Sequence, residues 1–202
     1  MSELLCVTHR KLCRGDFLER VDALAACRPR GIILREKDLP ELEYEALAAR
    51  VMAVCKARGV NCILHSFVRT ALALDAPALH VPMHVLRDMS GEERKHFEML
   101  GASCHSVEEA REAELLGCTY VTAGHIFATG CKPGLPPRGL EFLHEVCGAV
   151  SIPVYAIGGI GPDNIAAVRA QGAAGACVMS GAMECADPAA YFAAFERAEG
   201  DT

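Results

Sequence analysis

The sequence contains no tryptophan, few aromatic residues and no excess of positive charge. Aromatic residues make up only 5% of the chain, and the formal net charge of its 202 residues is −6. Proteins that bind nucleic acid usually carry clusters of lysine and arginine, and anionic membrane surfaces attract similar basic segments. We therefore expect no nucleic-acid partner. An anionic substrate must be held by a local site rather than by the overall charge.

Long hydrophobic runs are also missing. No apolar stretch approaches the ~18 residues that a membrane-spanning helix needs. Residues 1–5 (MSELL) carry no basic region ahead of an apolar one, which is the arrangement of a secretory signal. These two absences predict a cytoplasmic protein without a membrane partner.

Paired cysteine motifs are missing although cysteine itself is abundant. None of the eleven cysteines belongs to a C-x-x-C motif, and many lie in apolar segments, which favours reduced core thiols over disulfides or structural zinc. Several histidines follow predicted strands, but neither an H-x-H pair nor an inward carboxylate accompanies them. We therefore predict no metal site.

Short apolar segments alternate with helical patterns along the whole chain. Eight such segments have the length of buried strands, and the pattern from Glu41 to Arg58, closed by Gly59, predicts a long amphipathic helix. Residues 88–97 are predicted as an outer helix. The alternation predicts a parallel (β/α)8 barrel in one domain over residues 1–202. The sequence leaves open whether the protein forms a homo-oligomer.

Glycine-rich segments follow the last two predicted strands. Gly158 and Gly159 end the first segment, and Ser180 and Gly181 end the second. In parallel α/β barrels the loops after strands seven and eight frequently bind phosphate. Residues 162–164 (PDN) are predicted to open a helix, whose N-terminal end favours an anion. We therefore predict that these four residues bind a phosphate group.

Two cations and a histidine complete the predicted site. Because side chains alternate along a strand, Arg35 and Lys37 share one face while Glu36 faces away. The two cations therefore point at the barrel mouth, where they can bind a second anionic group. His125 follows the sixth strand, is expected to face the phosphate loops across the mouth, and can take and return a proton near neutral pH. The loop after it contributes Lys132 as a further substrate-binding residue.

Four segments together resemble one protein family, namely residues 33–37 (ILREK), 104–110 (CHSVEEA), 124–129 (GHIFAT) and 156–160 (AIGGI). They are similar to the thiamine phosphate synthase superfamily, whose fold is a (β/α)8 barrel. Within that superfamily, residues 124–135 are similar to the thiazole tautomerase (TenI-type) branch. The synthase branch has proline at the position of His125.

The resemblance implies an isomerase of thiamine biosynthesis that uses no cofactor. His125 would carry the proton that aromatises a carboxythiazole phosphate, with Arg35 and Lys37 on the carboxylate, so the partner is a small phosphorylated thiazole. Synthase members hold Mg²⁺ with aspartates after strands three and four, where this chain reads HS (65–66) and PMHV (82–85). Two alternatives stay open: a thiamine phosphate synthase, which would need Mg²⁺ to join a pyrimidine diphosphate to the thiazole phosphate, and a TenI-type regulatory protein that binds a ligand without catalysis.

Overall fold

The computed structural model describes residues 2–130 and 134–200, in which eight parallel strands close into a barrel. Each strand pairs with its neighbours in sequence order, and Leu5 of the first strand pairs with Cys177 of the last. The strands are β1 (Ser2–Val7), β2 (Pro29–Leu34), β3 (Cys62–His65), β4 (Ala78–Pro82), β5 (Met99–Cys104), β6 (Tyr120–Gly124), β7 (Val154–Ile157) and β8 (Gly175–Val178). The predicted (β/α)8 barrel is confirmed.

Helices connect the strands and cover the outside of the barrel, because parallel neighbours need long crossover connections. The described residues form a 3-10 helix at Arg10–Leu12 and ten α-helices: α1 (Phe17–Ala26), α2 (Glu41–Arg58), α3 (Val68–Ala73), α4 (Met83–Asp88), α5 (Gly91–His96), α6 (Val107–Leu115), α7 (Gly139–Ala149), α8 (Ile165–Arg169), α9 (Ser180–Glu184) and α10 (Pro188–Gly200). Residues at the helix ends determine where α1 begins and where α2 ends. The Asp16 side chain accepts two amides at the start of α1, and Gly59 ends α2 with φ 66°.

Two element boundaries differ from those predicted. The helix expected over 88–97 is observed as the shorter α5, and the separate helix α4 ends at Asp88, because Ser90 starts a new helix. Its hydroxyl accepts the Glu93 amide, and the Glu93 carboxylate accepts the Ser90 amide, which together form a capping box. In addition, β2 ends at Leu34, whereas the sequence predicts a strand over residues 31–37.

Apolar side chains form one layer inside the barrel and a larger one between strands and helices. The inner layer consists of Leu5, Val7, Ile33, Ile63, Ala78, Tyr120, Tyr155 and Cys177. The outer layer includes Leu24, Val51 and Leu143. Burial of this apolar surface is the main term that favours folding. Because side chains fill the interior, the barrel is not a pore, and a ligand must bind at its mouth.

The described ranges contain ten of the eleven cysteines. Those cysteines are free thiols, and most of them are buried. Burial raises the pKa of the Cys104 thiol to about 12, so this thiol stays protonated and unreactive near neutral pH. None of the helices in these ranges combines the length and the apolar character that a membrane crossing requires.

Candidate active site at the mouth of the barrel

A cavity of about 300 Å³ opens at the carboxyl ends of the strands. Barrels of this type bind their substrates at this end, and the volume lies at the lower end of the range for ligand pockets. Seven of the residues predicted for the site come from distant parts of the sequence, and all seven line this cavity: Arg35, Lys37, His125, Gly158, Gly159, Ser180 and Gly181. The predicted Lys132 lies outside the described residues.

Arg35 and Lys37 follow the end of β2, and both line the cavity. Glu36, between them, turns into the barrel wall and is only 1% exposed. Its carboxylate accepts hydrogen bonds from the Thr8 hydroxyl at 2.7 Å and from the Arg10 amide and guanidinium at 3.0 and 3.1 Å. The predicted alternation of these side chains is therefore present, although the regular strand stops just before them.

A buried tyrosine of α2 fixes the strand ends beneath the cations. The Tyr44 hydroxyl donates to the Leu34 carbonyl at 2.7 Å and accepts the His65 amide at 2.8 Å. Its ring packs against Phe67 with centroids 4.3 Å apart. Tyr44 thus ties the end of β2 to the end of β3, which sets the positions from which Arg35 and His65 reach the cavity.

Two stacked histidines form the floor of the cavity beside the cations. His65 and His80 pair in register on β3 and β4, and their ring centroids are 5.9 Å apart. Both ring nitrogens of His80 have partners, since Nδ1 lies 2.9 Å from the Tyr120 hydroxyl and Nε2 lies 2.8 Å from the Ser103 hydroxyl. His65 Nδ1 contacts the Ser66 hydroxyl at 2.7 Å. These contacts fix the orientation of both rings.

Both imidazoles are neutral near pH 7. Burial lowers the pKa of His65 to about 2, with further contributions from the neighbouring His80, Lys37 and Arg35. Burial also lowers the pKa of His80 to about 3, and Lys37 adds to this effect. The floor is therefore polar and uncharged, and it lies in the positive field of the two cations. These four residues, Arg35, Lys37, His65 and His80, are called the cationic side.

Gly158 and Gly159 follow β7 in the left-handed backbone region that favours glycine, with φ of 101° and 66°. A Cβ atom at Gly158 would overlap with the Cβ atom of His125, and one at Gly159 would lie 2.8 Å from the Cβ atom of Phe127. Glycine is therefore required here by the loop after β6, which packs directly against this turn. Gly158 and Gly159, with Ser180 and Gly181 after β8, are called the glycine side.

The helix after β7 begins later than predicted. Residues 162–164 precede α8, which is only five residues long. Asn164 uses its side chain to brace the turn, since its amide oxygen accepts the Gly161 amide and its amide nitrogen donates to the Gly159 carbonyl, both at 3.0 Å. An anion at this place would meet the backbone of the turn rather than the start of a long helix.

His125 lies beside the glycine side and not across the mouth from it, which corrects the predicted position. β6 pairs with β7, so His125 packs against the turn at Gly158, and three strands lie between β6 and β2 in either direction around the barrel. His125 is 6% exposed, and its Nε2 donates to the Leu135 carbonyl at 3.3 Å. His105, at the end of β5, donates from Nδ1 to the Gly124 carbonyl at 2.8 Å. These carbonyls determine which ring nitrogen carries the proton.

Four residues shape the cavity without being among the binding residues predicted from the sequence. Ser103 and Thr122 line it from register-paired positions of β5 and β6, and Tyr44 and Asn164 brace it from outside. The inward positions of β5 and β6 can be found from strand alternation. Tyr44 acts through contacts between separate elements, for which the sequence carries no local signal. Asn164 instead contacts Gly159 and Gly161 within its own turn, where asparagine is a common turn residue.

The donors around the cavity suit anions better than metal ions. Among the described residues that line it there is no aspartate or glutamate. The described part of the chain also contains no group of three or more His, Cys, Asp or Glu residues placed to hold a metal ion. Hard cations such as Mg²⁺ take oxygen ligands, above all carboxylates.

Comparison with known proteins identifies similar sequences and a similar structure. A family model described as thiamine monophosphate synthase matches residues 4–182. A thiamine-phosphate synthase of Moorella thermoacetica is 40% identical over 195 residues, which cover 93% of this chain and 91% of that protein. One from Syntrophomonas wolfei is 35% identical over 191 residues, with coverage of 91% and 90%. A solved thiamine phosphate pyrophosphorylase from Pyrococcus furiosus superposes with a TM-score of 0.84 at 28% identity and covers 98% of this chain and 96% of that chain.

These relatives correct the predicted reaction. The thiazole tautomerase function and the isomerase class are wrong, because proteins that match along nearly the whole barrel are named thiamine-phosphate synthase, and they favour the synthase alternative. The tautomerase prediction depends on the short segment 124–135. There, a buried histidine that donates to the Leu135 carbonyl already has a structural explanation, so its presence does not specify a proton-transfer reaction.

Proposed function

The chain belongs to the thiamine monophosphate synthase family, and from that premise we propose that it is a transferase. In the proposed reaction a pyrimidine diphosphate condenses with a thiazole phosphate and pyrophosphate is released. The observation that carries the proposal is one cavity with two separate sets of anion-binding groups, because both substrates are phosphorylated. The proposed location, in line with a biosynthetic enzyme, is the cytoplasm.

The cationic side would hold the diphosphate. Arg35 offers a planar fork of N–H donors that matches phosphate oxygens, and Lys37 adds a compact positive charge. The neutral rings of His65 and His80 lie beside them. An uncharged polar floor suits a neutral heterocycle, since it offers hydrogen bonds without requiring a counter-charge.

The glycine side would hold the phosphate of the thiazole. The turn at Gly158 and the start of α9 at Ser180 line the cavity after β7 and β8, the position at which parallel barrels commonly bind phosphate. Backbone amides and the Ser180 hydroxyl can donate to phosphate oxygens without any change in side-chain charge. Because Asn164 braces the turn after β7, the backbone amides of that turn would be held in place before the ligand arrives.

The two sides together would favour transfer of the pyrimidine group from its diphosphate to the thiazole nitrogen. The bond from the pyrimidine methylene carbon to the diphosphate oxygen breaks, and its electron pair leaves on pyrophosphate. The thiazole nitrogen supplies the electron pair of the new carbon–nitrogen bond. Arg35 and Lys37 would stabilise the charge that develops on the leaving group, and the glycine side would hold the nitrogen close to the carbon.

The fold family implies Mg²⁺ on the diphosphate, but the residues present do not fit that ion. The described lining of the cavity offers two cations and no carboxylate. Glu36, the acidic residue between the two cations, is buried in hydrogen bonds to Thr8 and Arg10. No step of the proposed reaction is therefore assigned to a metal ion.

The test is incubation of the full chain with the pyrimidine diphosphate and the thiazole phosphate, in parallel with chelator and with added Mg²⁺. We expect formation of the condensed product and an equal amount of pyrophosphate in at least one condition, followed by chromatography. Lys37→Gln should lower the rate at least ~10-fold, because a hydrogen bond to a charged group contributes about 1.5–3 kcal/mol.

Lys95→Gln is the matched control, since it removes the same charge from an exposed side chain of α5 that pairs with Glu92. It should leave the rate unchanged. If neither condition yields product while calorimetry still detects binding of the thiazole phosphate, the transferase assignment is rejected and a ligand-binding role without chemistry takes its place.

A further inference from the structure

The charged side chains among the described residues that line the cavity are positive. Arg35 and Lys37 line it, and no described lining residue carries a negative charge. At about 5 Å and an effective dielectric constant of about 20, two unit charges interact by about 3 kcal/mol. A divalent cation near both side chains would be repelled, whereas a multivalent anion would be attracted.

The carboxylates nearest to these cations in sequence are already engaged elsewhere. Glu36 accepts from Thr8 and Arg10 inside the barrel wall. Asp38 pairs with the Arg10 guanidinium at 2.6 Å and the Lys11 ammonium at 2.8 Å, and these contacts hold the pKa of its carboxyl well below its usual range. Neither carboxylate can turn to a metal ion in the cavity without giving up these partners.

The histidines of the floor do not replace the missing carboxylates. His80 has partners at both ring nitrogens, Tyr120 and Ser103. His65 stacks on it with Nδ1 on the Ser66 hydroxyl. Neutral imidazoles are also poor ligands for Mg²⁺, which prefers oxygen.

We infer that the pocket binds a diphosphate directly through Arg35 and Lys37, as the free anion with no Mg²⁺ attached. The identity of the anion rests on the proposed function, while the preference for a metal-free anion rests on the charges of the cavity alone. In this pocket the two fixed side-chain cations take the place that a divalent ion has in carboxylate-lined sites. They are part of the fold and therefore need no free metal ion.

Calorimetric titration of the protein with inorganic pyrophosphate tests this inference. We expect saturable binding in the presence of a chelator and about tenfold weaker binding in excess Mg²⁺, because the complexed anion carries two fewer negative charges. Mg²⁺ alone should give no saturable heat. Binding that requires Mg²⁺, or that becomes tighter in its presence, would overturn the inference.

Substitutions identify the groups responsible. Arg35→Gln and Lys37→Gln should each weaken metal-free binding of pyrophosphate at least ~10-fold. The variant Lys37→Arg, which keeps the charge, should retain most of the affinity. The control Lys95→Gln should bind pyrophosphate as tightly as the parent. Thermal unfolding of each variant establishes that it is folded. Metal-free binding that survives both glutamine variants would show that another group holds the anion and would also overturn the inference.

The outcome is independent of turnover. If pyrophosphate binds without metal but the two substrates give no product, the inference stands and the proposed transferase fails. If product forms only with Mg²⁺ and pyrophosphate binding also needs Mg²⁺, the transferase stands and the inference fails.

Discussion

On the cationic side of the mouth the positive charge belongs to the side chains of Arg35 and Lys37, whereas on the glycine side the available donors are backbone amides and the Ser180 hydroxyl. The first arrangement tolerates changes in backbone detail, because long side chains can adjust. The second depends on the φ angles of Gly158 and Gly159 and on the loop packed against them. Substitutions of Arg35 or Lys37 should therefore cost mainly affinity, and substitutions of Gly158 or Gly159 mainly stability.

The largest effect is expected on the glycine side. Gly158→Ala forces a side chain into the left-handed region, at about 1–3 kcal/mol, and pushes its Cβ atom into His125, at a similar cost. We expect the free energy of unfolding to fall by about 4 kcal/mol in chemical denaturation, with loss of phosphate binding.

Gly161→Ala provides the control within the same segment. A Cβ atom at Gly161 would meet nothing within 4 Å, so this variant should stay within about 0.5 kcal/mol of the parent. Equal stability of the two variants would mean that the turn at Gly158 is not tightly packed, and the contrast between the two sides would lose its basis.

A smaller effect, which depends on pH, is expected on the cationic side. An unfolded histidine has a pKa near 6.5, and burial lowers the pKa of folded His80 to about 3. Between pH 6.5 and 3 the unfolded chain binds a proton at His80 that the folded chain does not bind. The free energy of unfolding is therefore highest above pH 6.5 and falls as the pH drops towards 3. Each such proton contributes a slope of about 1.4 kcal/mol per pH unit.

His80→Gln should therefore flatten the dependence of stability on pH between 6 and 4 by about 1.4 kcal/mol per unit, because glutamine does not titrate. The remaining slope includes the contribution of His65, whose pKa is lowered to about 2. Denaturation curves at pH 7, 6, 5 and 4 measure both slopes. Parallel curves for parent and variant would indicate that the His80 ring is not held neutral.

The smallest expected effect concerns the support of the cationic side. Tyr44→Phe removes a hydroxyl that pairs with the Leu34 carbonyl and the His65 amide, which leaves two buried backbone groups without this partner. We expect a loss of about 2 kcal/mol. Tyr191→Phe makes the same chemical change at a ring packed on Phe195 and should cost less than about 0.5 kcal/mol. A Tyr44 variant as stable as that control would show that the strand ends need no brace.

Local patterns were sufficient to predict the barrel, and most residues predicted for the site line the cavity at its mouth. Strand alternation predicted that Glu36 turns away from Arg35 and Lys37, and a glycine predicted the end of α2 at Gly59. The capping box at Ser90 was missed because the charged stretch around it has the composition of one continuous helix. The reaction was predicted wrongly because a short loop motif was given more weight than the similarity of the whole chain.

The sequence by itself determined the number and order of the strands, because hydrophobic periodicity and the glycine, serine and aspartate residues at helix ends act over a few residues. Only the tertiary structure decided which groups meet at the mouth. His65 and His80 stack because β3 and β4 pair in register, and their neutrality depends on burial that no local segment provides. His125 lies beside Gly158 because β6 and β7 are neighbours. Such contacts join residues far apart in sequence, so they form only when the barrel closes.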